Sequence, residues 1–185
     1  KFRVCAMTGC AAILLNCSAR TLHSWSGIKL AKGTKDEVIE NVLRNKSAVK
    51  NWKKCKILIL DEISMLSKKH FEIIEEIPRI IKKVDAPFGG MQIVFSGDFC
   101  QLPPIGSPGE KDTYTFCFQS PKWHIVFPMY NHILLKKIFR QDDIKYAKIL
   151  QNLRKGVITI NDYSIIQQRI SLEYDSSKHN DCVPT

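Results

Sequence analysis

The 185-residue sequence predicts an α/β domain with a largely parallel sheet and helices on both faces. Three observations carry this. Ile57-Leu58-Ile59-Leu60 and Met91 to Ser96 are short, unbroken apolar runs, the pattern of strands buried on both faces of a parallel sheet. Between them lie segments with apolar residues at helical spacing, so strands and helices alternate along the chain. The length suits one domain with a sizeable core and leaves little room for two.

Taken in order, Phe2, Val4 and Ala6 alternate with Arg3 and Cys5 as a strand, Thr8 and Gly9 turn the chain, and Ala11 to Leu15 begin a helix. Thr21 caps a short helix through Trp25 that Gly27 closes. Thr34 or Asp36 starts another, with Val38, Ile39, Val42 and Leu43 on one side. Residues 46–54 are polar and basic and read as a helix end and loop. A helix from about Ser67 to Lys83 follows the Ile57 strand, with a bend expected at Pro78. Pro103 and Pro104 fix an extended loop after the Met91 strand, and residues 105–112 are turn-rich. A strand is expected at Ile133 to Leu135. Asp142 or Asp143 then caps a last helix that ends near Gly156.

Hydrophobic residues at 44% and charged residues at 25% are ordinary globular values and exclude a disordered tail or a disulfide scaffold. The formal charge of +10 favours an acidic polymer as partner through phosphate neutralisation, although a soluble surface alone can carry such a charge. Seven cysteines with no C-x-x-C pair read as reduced, mostly buried thiols of a reducing intracellular compartment. A metal cluster of Cys5, Cys10 and Cys17 is the weaker alternative. No apolar run is long enough to span a membrane, and Lys-Phe-Arg-Val-Cys-Ala at the start is no signal peptide, so no membrane partner is expected.

Asp61-Glu62 sits at the carboxyl end of an apolar strand, where ligands of parallel sheets collect. An aspartate there can hold magnesium, and the adjacent glutamate can deprotonate a water aimed at a γ-phosphate; four apolar residues followed by Asp-Glu form a Walker B pattern. The plain alternative is that Asp61 caps a helix beginning near Ile63. Gln101, just past the neighbouring strand, can touch both water and γ-phosphate, although a simple turn also accounts for its loop. Arg140, in Phe139-Arg140-Gln141-Asp142, can supply positive charge as an arginine finger, or can be a surface arginine. The string G-x-x-x-x-G-K-[ST] of a phosphate-gripping Walker A loop does not occur.

At these residues the chain resembles the Pif-type DNA helicases of superfamily 1B. Residues 4–12 (Val-Cys-Ala-Met-Thr-Gly-Cys-Ala-Ala) resemble motif Ia, 21–28 (Thr-Leu-His-Ser-Trp-Ser-Gly-Ile) motif Ib, and 60–66 (Leu-Asp-Glu-Ile-Ser-Met-Leu) motif II. Residues 87–92 resemble the end of the family signature motif, 97–104 (Gly-Asp-Phe-Cys-Gln-Leu-Pro-Pro) motif III, and 139–142 motif IV; Phe-Cys-Phe-Gln-Ser-Pro-Lys-Trp (116–123) is also similar. The order of these strings carries the resemblance more than any one of them. Cys10, Cys100 and Pro78 depart from the family's usual residues.

The resemblance implies a RecA-like (P-loop NTPase) three-layer fold, with residues 1–156 a partial domain 1A and 157–185 a helix and linker toward an absent domain 2A. It implies ATP and Mg2+ as cofactors, Asp61 as magnesium ligand, Glu62 as water activator, Gln101 as γ-phosphate sensor and Arg140 as finger. Thr8, Gly9, Thr21, His23 and Ser24 would face single-stranded DNA, with core packing or capping the alternative for His23 and Thr21. The implied function is ATP-driven 5′-to-3′ translocation and unwinding of DNA forks by a monomeric parent, nuclear or mitochondrial in a eukaryote, with this fragment inactive alone. A non-catalytic adaptor with a helicase-like fold, and another P-loop repair ATPase, are the competing readings.

Overall fold

The structure is a computed structural model and describes residues 1–139 and 141–170. Its contacts divide the chain into two compact units, Lys1–Ile133 and Leu134 onward.

In the first unit, strands β1 (Phe2–Ala6), β2 (Arg20–Thr21), β3 (Ile57–Asp61) and β4 (Gln92–Phe95) form one parallel sheet in the order β2-β1-β3-β4. The two-residue β2 has no signature of its own in the sequence and exists through its pairing with Cys5 and Ala6. The register sets Ala6 beside both Thr21 and Asp61, and Leu60 beside Phe95, so the carboxyl ends of all four strands share one edge.

Residues paired across parallel strands point to the same face. Cys5 and Leu60 therefore lie together on the face that holds the core, and they are fully buried with Leu58. Phe2, Val4, Ile57, Ile59 and Val94 occupy the other face and are only partly covered or exposed. The expectation that β3 is buried on both faces is thus corrected. Among the described residues the core helices share one hydrophobic cluster with Leu58 and Leu60, and that cluster closes a single face.

Helix α1 (Gly9–Leu14) starts at a Thr8 cap, and α2 (Leu22–Ser26) runs from a Thr21 cap to Gly27 at φ +82°. Helix α3 (Lys35–Arg44) opens on a reciprocal box: Glu37 N donates to Thr34 Oγ1 and Thr34 N donates to Glu37 Oε2. Residues 46–54, expected to be helix end and loop, form a separate helix α4 (Lys46–Lys54). Asn45 caps it through Ser47 N and Ala48 N, both at 3.1 Å, and Ala48 and Trp52, four residues apart, bury one stripe. Trp52 packs against Trp25 with ring centroids 4.6 Å apart and planes tilted by 58°, and donates its indole N–H to Ser26 O at 2.9 Å.

Helix α5 (Lys68–Lys82) continues through Pro78, where a bend was expected. Gly89, at φ +60°, packs on the backbone there; a Cβ at Gly89 would stand 2.5 Å from Pro78 O. Glu75, buried on α5, takes Lys122 Nζ at 2.6 Å, and Ser120 Oγ donates to Glu72 at 2.7 Å, which fastens residues 116–123 to the helix. The short helix α6 (Trp123–Val126) brings Trp123 against Phe71 at 5.4 Å.

The strand expected at Ile133 to Leu135 does not form: these residues are exposed and join no ladder among the described residues. Three apolar residues are a weak strand signal without a paired neighbour. In the second unit, α7 (Ile144–Arg154) is capped by Asp143 and α8 (Ile160–Ile170) follows. Asn152 donates to Asp162 at 2.8 Å, which ties the two helices to each other and places α7 with α8.

Candidate nucleotide and nucleic-acid site

Every candidate residue among those described lies at or just beyond the carboxyl end of a strand. Across the sheet the order is Thr21 at the end of β2 with His23 and Ser24 after it, Thr8 and Gly9 after β1, Asp61 and Glu62 at the end of β3, and Gln101 beyond β4. Arg140 lies outside the described residues.

Asp61 and Glu62 are half-buried. Glu62 adopts φ +58° and ψ +44°, the left-handed region that a non-glycine residue enters at a cost of roughly 1–2 kcal/mol. It stands at the N-cap position of a 3-10 turn, Ile63–Met65, and makes no side-chain capping bond. Neither carboxylate has a side-chain hydrogen bond or ion pair among the described residues. The capping alternative for Asp61 therefore fails: its place is the last position of β3, and its carboxylate is left open to a cation or water.

Two backbone bonds tie this corner to its neighbours. Met7 N donates to Asp61 O at 3.3 Å, so the start of the β1 loop is fixed to the metal-ligand candidate. Ile63 N donates to Ser96 O at 3.1 Å, and Ser96 N to Leu60 O at 2.9 Å, which holds the β4 exit against the residue after Glu62. Gly97 makes that approach possible, because a Cβ there would sit 2.8 Å from Ile63 N. The loop beyond is anchored by Phe99, whose ring meets Phe118 at 4.8 Å and Trp123 at 6.2 Å. Gln101 is exposed on it, with its amide 3.5 Å from Asp98.

On the β1 and β2 side, Thr8 Oγ1 accepts from Ala11 N at 3.2 Å and Thr21 Oγ1 from Ser24 N at 3.4 Å, so both hydroxyls cap helices. Gly9 is exposed at the start of α1. Ser24 is exposed and accepts from Arg20 at 2.7 Å. His23 is partly covered, its ring 5.4 Å from that of His70 on α5, and burial lowers its pKa. Ser67 Oγ lies 2.5 Å from His70 Nδ1, and His70 Nε2 is buried without a partner. Burial, with smaller contributions from His23 and Lys69, brings His70 down to about 4.

Sequence reasoning missed the left-handed Glu62, the Arg20–Ser24 bond and the His23–His70 pair. A glycine at 97 was visible, but its reason, contact with Ile63, needed the fold. The cysteines divide differently from expectation: Cys5, Cys55 and Cys117 are buried, while Cys10, Cys17 and Cys100 are exposed on loops and short helix ends. Burial pushes Cys5 and Cys117 up to about 12, so neither is a thiolate at neutral pH. No metal-binding cluster of His, Cys, Asp and Glu exists among the described residues, and no helix among them is long and apolar enough to cross a membrane.

A family model described as PIF1-like helicase matches residues 2–167. The ATP-dependent DNA helicase RRM3 of Saccharomyces cerevisiae is 40% identical over 158 residues, which are 85% of this chain and 21% of that protein. The crystal structure of Pif1 helicase from Candida albicans superposes with a TM-score of 0.80 at 32% identity, covering 100% of this chain and 39% of that one. A Bacteroides Pif1 helicase in complex with ADP-AlF3 and ssDNA gives 0.76 at 28% identity, covering 98% and 42%. The chain spans roughly a fifth of the length of the curated relatives it matches. Fold, motif order and sequence agree, and the chain belongs to the PIF1-like helicase family.

Proposed function

We propose that this chain forms the water-activating and DNA-facing part of an ATP-dependent DNA helicase, contributing domain 1A to a motor that moves 5′ to 3′ on single-stranded DNA and opens forks. One observation carries the reading: Asp61 and Glu62 stand at the carboxyl end of β3 with unpartnered carboxylates, Glu62 in a left-handed conformation no capping role explains. Strain of that kind persists where the surroundings impose it and is concentrated at working sites.

In this reading Asp61 would hold Mg2+ together with the nucleotide, a group that would supply positive charge beside the phosphates. Glu62 takes a proton from the attacking water. Gln101 orients that water and reports the γ-phosphate to the Phe99-anchored loop. Arg140 supplies positive charge to the transferred phosphoryl group. Thr8, Gly9, Thr21, His23 and Ser24 form one side of the single-strand track, adjacent in the sheet to the hydrolytic corner. The relatives' names, and the Bacteroides complex with ADP-AlF3 and ssDNA, support nucleotide and single-strand partners. Residues 1–156 would serve domain 1A, 157–185 would lead to domain 2A, and the motor would act as a monomer in the nucleus or mitochondria of a eukaryotic cell.

The test uses a polypeptide of the relatives' length that contains this chain, assayed for magnesium-dependent ATP hydrolysis with and without single-stranded DNA. Turnover stimulated at least tenfold by the single strand is expected, a factor worth about 1.4 kcal/mol in the barrier. DNA binding without any turnover would replace this reading with the non-catalytic adaptor.

A further inference from the structure

The first turn of α5 is clamped from two sides. Lys68 N donates to Thr115 O at 2.8 Å and Ser67 pairs with Phe116, which fixes the start of the helix through backbone. Lys69, on the same turn, donates from Nζ to Gly33 O at 2.5 Å, in the loop that follows α2, and also to Glu110. The next residue, His70, is thereby held against α2, where its ring centre lies 5.4 Å from that of His23 at an interplanar angle of 72°.

The hydrogen bonds around His70 define its proton. Ser67 is buried, and its Oγ accepts from His70 N at 3.2 Å while lying 2.5 Å from His70 Nδ1. That hydroxyl makes no other bond among the described residues, so its proton goes to Nδ1, and a neutral His70 carries its own proton on Nε2. Burial first, then the charges of His23 on α2 and Lys69 on α5, hold His70 neutral, and Glu110 opposes them. Nε2 is buried and has no partner among the described residues. Edge-to-face packing of two rings accounts for the His23 contact but leaves this donor unused, whereas buried donors in folded proteins are nearly always bonded.

We propose that His70 is a positioning residue for His23: its Nε2–H donates to the bare ring nitrogen of His23 when a single strand lies across α2, and so turns the N–H of His23 toward a phosphate oxygen. This rests on the proposed function for the single-strand track, and goes beyond it in naming what orients the contact. A neutral imidazole has one bare nitrogen and one N–H, so a freely turning ring presents a phosphate with a repelling lone pair as readily as with a donor. Burial lowers the His23 pKa as well, which favours that neutral form. An N–H···N bond of about 2.9 Å added to two ring radii sets imidazole centres about 5 Å apart, so the observed 5.4 Å is closed by rotating the His23 ring, without moving either helix. Ser67 O–H to His70 Nδ1, His70 Nε2–H to His23, and His23 N–H to phosphate then form one chain of hydrogen bonds in which no proton changes owner.

The experiment is a double-mutant cycle in a polypeptide of the relatives' length: wild type, His70→Leu, His23→Leu and the two together. His70→Gln is the conservative replacement, because its amide carries an N–H donor near the place of Nε2. Oligo-dT affinity is followed by fluorescence anisotropy at neutral pH, alongside ATP hydrolysis without DNA. His70→Leu keeps the bulk and removes the donor, so the oligo-dT Kd is expected to rise about fivefold, the worth of one hydrogen bond, while DNA-independent hydrolysis changes less than about twofold. In the His23→Leu background the same substitution should shift the Kd less than about twofold. His70→Gln should recover most of the wild-type affinity. Unchanged affinity in His70→Leu, an equal loss with and without His23, or a Gln variant as weak as the Leu variant would overturn the proposal. If His23→Leu binds oligo-dT as tightly as wild type, the DNA-facing assignment of His23 falls and this inference falls with it. A wild type that shows the coupling but hydrolyses no ATP would sink the motor reading and leave the role of His70 standing.

Discussion

His70 shows how a single buried group writes itself into stability. Its imidazole sits against His23 with Nε2 unsatisfied, so the native state refuses a proton until about pH 4, while the unfolded chain takes one at its ordinary value near 6.5. Between those values the unfolded state binds more protons, so stability is complete above about pH 6.5 and declines as pH falls toward 4. Burial of His23 acts with the same sign. Urea unfolding should therefore lose up to about 3 kcal/mol over that window, and His70→Leu should flatten the decline. A His70→Leu slope equal to that of the wild type would show that the imidazole titrates freely in the fold. At this scale the sequence disclosed side-chain identity, as with Asp61, but not backbone state. Nothing local in Asp61-Glu62-Ile63 dictates a left-handed Glu62, because that conformation is imposed by the Ile63–Ser96 bond and the close approach of Gly97.

Elements were legible where hydrophobic periodicity and caps agreed. The Thr21 cap and the Ser67 start of α5 stand where turn chemistry placed them, and of the pairs left open, Thr34 or Asp36 and Asp142 or Asp143, the structure uses Thr34 and Asp143. Helix α4 was not, because its lysines mask the buried pair Ala48 and Trp52. Trp52 anchors that helix to α2 by ring packing and by its bond to Ser26 O. Trp52→Ala should cost about 3–5 kcal/mol, read as a drop in the midpoint of chemical unfolding. A loss under about 1 kcal/mol would mean that α4 is held by its cap and charges instead. β2 and the one-sided burial of β3 escaped for a related reason: both are set by which neighbours pair and cover a strand, and an apolar run does not specify that.

For the molecule as a whole, the order of strands matters more than any motif taken alone. The β2 and β1 ends carry the DNA-facing candidates, the β3 and β4 ends carry the hydrolytic ones, and Met7 N to Asp61 O joins the two groups through backbone. The motif strings announced the family and the carboxyl-edge residues. At the carboxyl edge, Glu62 is proposed to activate water within a nucleotide site built on the ends of β3 and β4. Glu62→Gln, in a polypeptide of the relatives' length, keeps size and hydrogen bonding while removing the base. The measurement is single-turnover ATP hydrolysis alongside nucleotide affinity. The account predicts a fall of about a hundredfold or more in the hydrolysis rate, ~2.7 kcal/mol, with ATP affinity within about threefold of the wild type. Hydrolysis at the wild-type rate would contradict it.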